Sequence, residues 1–409
     1  MESIIKWLRK LYNKSIHSIA FYPALISLGI LVLFIMIYDA ESSAAAKALK
    51  SSFVWMNLKH AEAARTILTT ITAGIIGLTV FSFSMVMVVM SQAASQMTNR
   101  ILDNLIGNKF QQFTLGFYLG TILSSFFLLT VVDDKGSPQV PSLSVFILVL
   151  LTVVDLFLFV SFLHYVTQSV RFEYLIKRIH QKTIDSLMNA KSKGSPGHWA
   201  LQYSEYLEVL SPQSNYFQGI NTRQLVKYSW ENKIQIEFYP VRCTYITKGQ
   251  PLLKIYFESM PDETRVKKLF ESIDFYTAQE IDKNPFYGFA HLTEVAIKAL
   301  SPGINDPNTA VLCINSLTDL LIIKMKDSAV NVFSDKHDTP RIFLKDHSFG
   351  FLFNYCIYPI WDYGKRDRFI IMALKRAMEY LRNADNDRLY VTIIKEFESV
   401  LEREKMVVE

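Results

Sequence analysis

Residues 66–90, TILTTITAGIIGLTVFSFSMVMVVM, contain no charged side chain. A helix needs about 20 mostly apolar residues to cross the hydrocarbon core of a bilayer, so this stretch predicts a membrane span. Residues 19–38 and 110–132 are also free of charge, and residues 141–165 carry a single acidic residue, Asp155. The sequence therefore predicts four transmembrane helices, at about residues 19–38, 66–90, 110–132 and 141–165.

The apolar residues are distributed unevenly along the chain. Hydrophobic residues make up 50% of the 409 residues, but the long charge-free runs lie within the first 165. The remainder has an ordinary soluble composition and is long enough to bury its own core. The predicted fold class is a membrane α-helical part with four transmembrane helices, followed by an α+β cytoplasmic domain. The predicted domains are a transmembrane domain (1–168), a connecting helix and linker (169–198), a small β-rich domain (199–260) and a mainly helical cytoplasmic domain (261–409).

Basic residues flank the predicted spans and indicate their orientation. They precede the first span, follow the second and follow the fourth: Lys6, Arg9, Lys10, Lys14, Arg100, Lys109, Arg171, Lys177, Arg178 and Lys182. Cytoplasmic loops are enriched in Lys and Arg, so we expect a multi-pass protein of the plasma (inner) membrane with both termini in the cytoplasm. The first span is longer than the apolar part of a cleaved signal peptide, which favours a retained anchor.

Small and hydroxyl-bearing residues recur in the second and third spans. Small residues let helix backbones approach, and hydroxyl groups bond across helices, so packing within or between copies of the chain is one interpretation. The other interpretation is that the second span lines a polar pathway. The pathway candidates are Asp155, Thr69, Thr72, Thr79 and Ser82, and the helix-packing candidates are Gly74, Gly77, Gly116 and Gly120.

Asp155 is the most informative residue of the membrane region, because it lies well inside the fourth span. A carboxylate in the hydrocarbon core is costly unless it is paired, hydrated or protonated, and such residues often mark a functional site. A structural hydrogen bond to a neighbouring helix is the alternative role. The sequence leaves both open.

Residues 299–310, ALSPGINDPNTA, have the composition of a junction between two helices. Pro302 and Gly303 stop the first helix, Asn305 or Asp306 can cap the second, and Pro307 suits its first position, where no N–H is needed. The junction alone explains these residues. A functional interpretation is that the loop and the new helix N-terminus bind an anion or a neighbouring subunit.

The sequence lacks the common catalytic motifs. It has no phosphate-binding Gly-rich loop, no His-Glu-x-x-His and no Gly-x-Ser-x-Gly, which favours a non-enzymatic protein. Cys243, Cys313 and Cys356 are far apart, so neither a zinc site nor a disulfide framework is expected. The net charge of +5 comes without a dense basic stripe, so we expect no nucleic-acid partner, and we predict no metal and no cofactor.

Several ordered stretches resemble a bacterial and archaeal membrane-protein family, the domain of unknown function 2254 family. They are residues 87–102, 115–121, 215–220, 248–252 and 279–289, together with a family-signature loop formed by Ser301, Pro302, Gly303, Asn305, Asp306, Pro307 and Thr309. Asn308 stands where the family more often has an aromatic residue. The resemblance implies several N-terminal spans and a soluble C-terminal domain, and it implies no activity or catalytic residue.

These observations lead to two functional hypotheses. The first is a homo-oligomeric channel or permeation pathway in the lipid bilayer, gated or assembled by the cytoplasmic domain. The alternative is a membrane-anchored scaffold or sensor that binds a cytoplasmic partner or a small ligand. The sequence does not identify an ion or ligand.

Overall fold

The computed structural model describes residues 21–41, 43, 58, 60–96, 109–132, 140–169, 171–191, 201–277, 279–326 and 330–403. These residues belong to two compact units, which meet in the sequence between Arg171 and Phe172. The predicted N-terminal basic flank, Arg100 and most of the predicted linker at 192–198 lie outside the described residues.

The first unit consists of long apolar helices. They are α1 (Phe21–Ala40), α2 (Ala61–Gln96), α3 (Lys109–Val131) and α4 (Ser142–Ser169). Each contains a segment long and apolar enough to cross a membrane, with mean hydropathies of 2.3, 2.1, 1.7 and 2.9. Large apolar side chains such as Phe157 and Val160 are exposed on their surfaces, as is typical of helices surrounded by lipid. The chain therefore begins with a helical membrane part.

The helix α3 packs closely against α1 through two glycines. A Cβ atom added to Gly116 would lie 2.8 Å from Ile26 Cβ, and one added to Gly120 would lie 2.7 Å from Ile30 Cδ1. Both distances are too short for a side chain at these positions. The contact is the small-residue packing that membrane helices use when no hydrophobic effect draws them together.

Two charged side chains cap helix ends in this unit, one at the C-terminus of α3 and the other at the N-terminus of α4. Arg65 donates from Nε and Nη2 to the carbonyl of Val132, at 3.0 and 2.7 Å. Glu41 accepts from the amides of Leu143 and Ser144 at 2.8 and 3.3 Å, and from Ser144 Oγ at 2.5 Å. A cation at a helix C-terminus and an anion at an N-terminus both satisfy otherwise unpaired backbone groups.

The second unit is an α+β domain. Its helices are α5 (Phe172–Lys191), α6 (Thr222–Glu231), α7 (Glu263–Leu269), α8 (Phe286–Ala299), α9 (Pro307–Met325), α10 (Phe349–Gly364), α11 (Arg368–Ala384) and α12 (Val391–Arg403). Its strands are β1 (Glu205–Leu210), β2 (Asn215–Ile220), β3 (Ile234–Phe238), β4 (Thr244–Ile246), β5 (Pro251–Phe257), β6 (Ile273–Phe275), β7 (Val330–Ser334) and β8 (Pro340–Lys345).

The described strands form two sheets. One has the order β1-β5-β3-β8-β7 and the other the order β4-β2-β6. All pairs are antiparallel except β3 with β8, where Ile236 lies opposite Ile342. The turn around Gly249 therefore connects strands of two different sheets. In the core, the fully buried rings of Phe217 and Phe238 stack with their centroids 5.3 Å apart.

The five-stranded sheet takes β7 and β8 from residues beyond 261, where we predicted a mainly helical domain after a separate β-rich one. The two strands form a local antiparallel hairpin around the turn at Asp335 to Asp338, with Val332 opposite Phe343. In addition, β8 is held by parallel pairing with a strand about a hundred positions earlier. Such pairing leaves no local signal.

Five of the described helices, rather than four, are long and apolar enough to cross a membrane. The fifth is α9, with a mean hydropathy of 1.2. It packs against α5, α8, α10 and α11 within the second unit, and it buries Cys313, Ile314, Leu317, Leu320 and Leu321. A helix that other helices enclose on most of its faces is apolar because it forms part of the core. The hydropathy of α9 therefore does not by itself identify a membrane span.

Candidate functional site in the membrane helices

A stripe of buried polar side chains follows one face of α3. Its members recur at intervals of four, three and four residues, which places them on one side of a helix: Thr114, Tyr118, Thr121 and Ser125, each at most 1% exposed. Gly116 and Gly120, which pack against α1, occupy another face. The helix thus presents apolar packing to one neighbour and hydroxyl groups to the others.

Asp155 of α4 meets this stripe and is completely buried, with 0% of its surface exposed. Its Oδ2 accepts a hydrogen bond of 2.6 Å from the Thr121 hydroxyl. Its Oδ1 is also buried and has no hydrogen-bond partner among the residues that the structure describes. One of the two carboxylate oxygens therefore has no donor in an interior where polar groups are normally satisfied.

Two further hydroxyl groups near Asp155 are unsatisfied. Tyr118 Oη and Ser82 Oγ are buried without a hydrogen bond in the described part of the chain. The Ser82 and Tyr118 hydroxyls lie close enough to act as a loose hydrogen-bonding pair, outside the limits of a well-formed hydrogen bond, and Tyr118 also interacts electrostatically with Asp155. Ile75 and Ile122 pack around Tyr118, so these oxygen atoms lie in apolar surroundings.

A second polar contact between α2 and α3 is fully satisfied. The hydroxyls of Thr72 and Ser125 lie 2.6 Å apart, and the carbonyl of Leu68 lies 2.7 Å from Thr72 Oγ1 and 3.0 Å from Ser125 Oγ. One hydroxyl can donate to the other, which in turn donates to the carbonyl of Leu68. Groups that use their hydrogen-bonding capacity in this way hold helices together. Thr72 thus has a structural explanation that the oxygen atoms around Asp155 lack.

The predicted pathway residues of α2 do not share one environment. Thr72 and Ser82 are buried against α3, whereas Thr79 is half-buried and Thr69 is exposed. Thr79 donates to the carbonyl of Ile75 at 2.7 Å, and Thr69 donates to the carbonyls of its own helix at 2.9 and 3.0 Å. The structure brings Ser82 to Tyr118, which interacts with Asp155, and it places Thr69 on the outer surface.

The other two predicted packing residues, Gly74 and Gly77, lie on the open surface of α2. No heavy atom of the described chain lies within 4 Å of a Cβ added at either position. Sequence reasoning missed Tyr118, Thr121 and Ser125, although the spacing of four, three and four residues along α3 was a readable signal.

Comparison with known proteins places these features in a family. The model of a family described as predicted membrane protein, domain of unknown function 2254, matches residues 16–380. The chain belongs to the domain of unknown function 2254 family. This confirms the resemblance inferred from the ordered motifs, and it confirms a membrane protein of unknown function.

Uncharacterized mycobacterial proteins are among the relatives of this family member. Proteins of Mycobacterium tuberculosis (strain CDC 1551 / Oshkosh) and Mycobacterium bovis (strain ATCC BAA-935 / AF2122/97) are each 19% identical to it over 327 residues. The match covers 77% of this chain, which spans about 63% of the length of those relatives. No solved structure matches the chain.

The family-signature loop forms the junction between α8 and α9. The Asp306 carboxylate accepts from the Thr309 amide at 3.2 Å and from the Thr309 hydroxyl at 2.6 Å, and Pro307 is the first residue of α9. The Asp306 amide donates to the carbonyl of Ala299 at 2.8 Å. The backbone of Asn305 has a positive φ of 49°. The Asp306 carboxylate and amide are thus engaged in hydrogen bonds within the turn itself. Pro302 and Gly303 are exposed, and Ser301 is half-buried.

The α+β domain of this family member contains a buried ion group. Arg242 Nη2 lies 2.5 Å from Asp346 Oδ2, and Lys324 Nζ lies 4.0 Å from the same oxygen. Burial alone would raise the pKa of Asp346, but the charges of Arg242 and Lys324 hold it below its ordinary value. Residues from three separate segments meet at this point, so the group ties the domain together.

His347, the neighbour of Asp346, lies inside an aromatic cluster. Its ring stacks on those of Phe286 and Phe351, with centroids 4.3 and 4.5 Å apart. Burial lowers the pKa of His347 to about 4, so the imidazole is neutral near pH 7. In the described parts of the chain, no three or more His, Cys, Asp and Glu side chains are grouped as metal ligands.

Proposed function

We propose that the protein is a homo-oligomeric membrane protein that provides a permeation pathway for ions, and that its α+β domain gates or assembles this pathway. The pathway follows the polar stripe of α3 and passes Asp155. One observation carries the proposal: Asp155 is fully buried among apolar helices, and its Oδ1 has no hydrogen-bond donor among the described residues.

The energetics of burial favour this role over a structural one. An ionised carboxylate inside a membrane domain costs several kcal/mol unless it is paired, so it is retained where it has a use. A residue kept for helix packing would gain most from having all its acceptors satisfied, as the Thr72–Ser125 contact does. Asp155 instead leaves Oδ1 open, as a transient ligand site would.

We also propose that the chain crosses the membrane four times, with α9 remaining in the α+β domain. The packing of α9 against four helices of its own unit and its low mean hydropathy of 1.2 support this count. The basic residues after α4, Arg171, Lys177, Arg178 and Lys182, support a cytoplasmic location of that domain and of both termini in the inner membrane.

Homo-oligomer formation would use the outward face of α2. Gly74 and Gly77 leave open space on this face, and the adjoining Thr70 and Ala73 are small and exposed. Close approach of two backbones through such residues is a common way in which membrane helices associate.

The test of the permeation pathway is ion flux across a membrane that contains only this protein. Purified full-length protein in proteoliposomes and planar bilayers should conduct ions, and Asp155→Asn should abolish or strongly reduce the flux. Thr69→Val, on the outer surface of α2, is the matched control and should leave flux unchanged. No conductance by folded wild-type protein under varied voltage, tension and pH would contradict the proposal.

The alternative function, a membrane-anchored scaffold or sensor, is favoured by exposed apolar side chains on the α+β domain. Phe369 and Met372 of α11 are 63% and 62% exposed and lie next to Arg368 and Arg376. A scaffold needs no water path, so cysteine-accessibility scanning of α2 and α3 separates the two functions. Water-dependent labelling along the stripe of α3 supports a pathway, and its absence supports a scaffold.

A further inference from the structure

We infer that Asp155, Tyr118, Ser82 and Thr121 form a binding site for a single dehydrated alkali cation, with Na⁺ as the probe ion. The inference deepens the proposed permeation pathway and rests on it for its physiological meaning. The binding site itself is a separate claim, because it can be measured without any flux.

The unsatisfied atoms around Asp155 are all oxygens. They are one carboxylate oxygen and two hydroxyl oxygens: Asp155 Oδ1, Tyr118 Oη and Ser82 Oγ. Hard cations take oxygen ligands, whereas zinc, copper and iron sites usually include the nitrogen or sulfur of His or Cys. The membrane helices bring neither His nor Cys into this group. The donor set therefore suits an alkali or alkaline-earth ion.

The charge balance selects a monovalent ion. Asp155 is the one acidic side chain within the described residues of α4. The other charged residues described in the membrane unit lie at or near the helix ends: Asp39, Glu41, Glu62, Arg65, Lys109 and Arg171. A cation of charge one neutralises one carboxylate and leaves a neutral site. A divalent ion would leave an uncompensated positive charge in apolar surroundings, which costs several kcal/mol more.

Thr121 acts as a positioning residue in this site. Its hydroxyl donates to Asp155 Oδ2 at 2.6 Å, which engages that oxygen and leaves Oδ1 as the atom available to a cation. Partners that orient a ligand in this way influence cation affinity by about 10–100-fold in metal sites. Loss of the Thr121 hydroxyl should therefore weaken binding without removing the charged ligand.

The experiment measures cation binding to the full chain in detergent. Equilibrium binding of radioactive Na⁺ and the melting temperature are recorded in NaCl, LiCl and KCl, with choline chloride keeping the ionic strength constant. Wild-type protein should bind an alkali cation saturably, and its melting temperature should rise with occupancy, because a ligand that binds only the folded state stabilises it. Asp155→Asn should abolish both effects.

Three further variants report on the neighbouring oxygens. Thr121→Val should weaken binding about tenfold, and Tyr118→Phe and Ser82→Ala should weaken it as well. Ser84→Ala is the matched control, because Ser84 is exposed on the same helix as Ser82 and its hydroxyl bonds to the carbonyl of Val80 at 2.9 Å. This control should bind like the wild type.

Several results would overturn the site. They are the absence of saturable alkali-cation binding by folded wild-type protein, equal binding by Asp155→Asn, or, if that variant does not fold, unchanged affinity in both Thr121→Val and Tyr118→Phe. The outcomes also separate the two proposals. Saturable binding that depends on Asp155 without flux keeps the site and rejects the pathway, whereas flux that survives Asp155→Asn without cation binding rejects the site.

Discussion

The hydroxyl of Thr121 donates a hydrogen bond of 2.6 Å to the carboxylate of Asp155, and this contact joins α3 to α4 inside the membrane unit. It is the one hydrogen bond that the described residues provide to this carboxylate. The contact fixes which oxygen of Asp155 is engaged and which is open. Both the stability of the helices and the proposed cation site therefore depend on it.

Thr121→Val should destabilise the membrane unit by about 1–3 kcal/mol, because a buried acceptor would lose its donor while the shape of the side chain is kept. Unfolding of full-length protein in mixed detergent micelles measures this loss. Thr130→Val is the control, since Thr130 is exposed on α3 and bonds to a carbonyl of its own helix at 2.7 Å. Equal effects of the two substitutions would show that the contact with Asp155 adds no stability.

Gly120→Ala should destabilise the packing of α3 on α1 by about 1–3 kcal/mol, because the added methyl group would overlap Ile30 and force the helices apart. Gly29→Ala on α1 is the matched control, since no heavy atom lies within 4 Å of its added Cβ. That substitution should be neutral or slightly stabilising, as Ala favours helices over Gly. Thermal unfolding of both variants compares them. A Gly120→Ala variant as stable as the control would contradict the close contact.

Gly77→Leu should lower the oligomeric state without unfolding the chain, because the outward face of α2 has room for a side chain within one copy but not between closely packed copies. Size-exclusion chromatography with light scattering gives the mass of the protein in detergent. Phe83→Leu, an exposed substitution on the same helix, controls for a general change of surface. An unchanged mass for Gly77→Leu would argue against association through this face.

The three native thiols should be unreactive in the folded protein. Burial raises the pKa of Cys243 and Cys356 to about 12 and also raises the pKa of Cys313, so little nucleophilic thiolate forms at neutral pH. Mass spectrometry after maleimide treatment should show no label in mild detergent and three labels after denaturation. Ser204→Cys, at an exposed position, is the positive control. Rapid native labelling of a wild-type thiol would mean that its surroundings open readily.

The stability of the α+β domain should fall as the pH is lowered from about 6.5, the ordinary pKa of histidine, to about 4, the pKa of His347 in the fold. In this window the unfolded chain binds a proton at His347 that the folded chain does not, which reduces the free energy of unfolding by about 3 kcal/mol. His347→Phe keeps an aromatic ring and should remove this dependence. His337→Gln, at an exposed position, should retain it. Unfolding curves at several pH values provide the measurement, and parallel curves for wild type and His347→Phe would contradict it.

Local patterns were enough to predict part of this structure. The membrane helices follow from the length of charge-free runs, and the junction at Asp306 follows from the capping preferences of neighbouring residues. The packing of Gly116 against Ile26 was not readable, since nothing local says which helix a glycine faces.

The place of β8 in the five-stranded sheet and the site around Asp155 could not be predicted for a related reason. Both depend on partners distant in the sequence: β8 pairs with β3, and Asp155 meets Thr121 and Tyr118 from another helix. The periodic stripe on α3 was visible in the sequence, but the orientation that turns it towards Asp155 is set by tertiary packing. Composition therefore predicted the membrane helices, and only the three-dimensional structure identified the oxygen atoms that form the candidate site.

The caps made by Arg65 and Glu41 have a mechanical consequence. Both lie where α1 ends, α2 begins, α3 ends and α4 begins, and the buried side chains of Phe34, Leu68, Leu128 and Leu148 pack close by. Charged caps and apolar packing therefore hold the four helices together at this end of the bundle. Because Arg65 connects α2 to the end of α3 and Glu41 connects the end of α1 to α4, loss of either cap should loosen two helices at once.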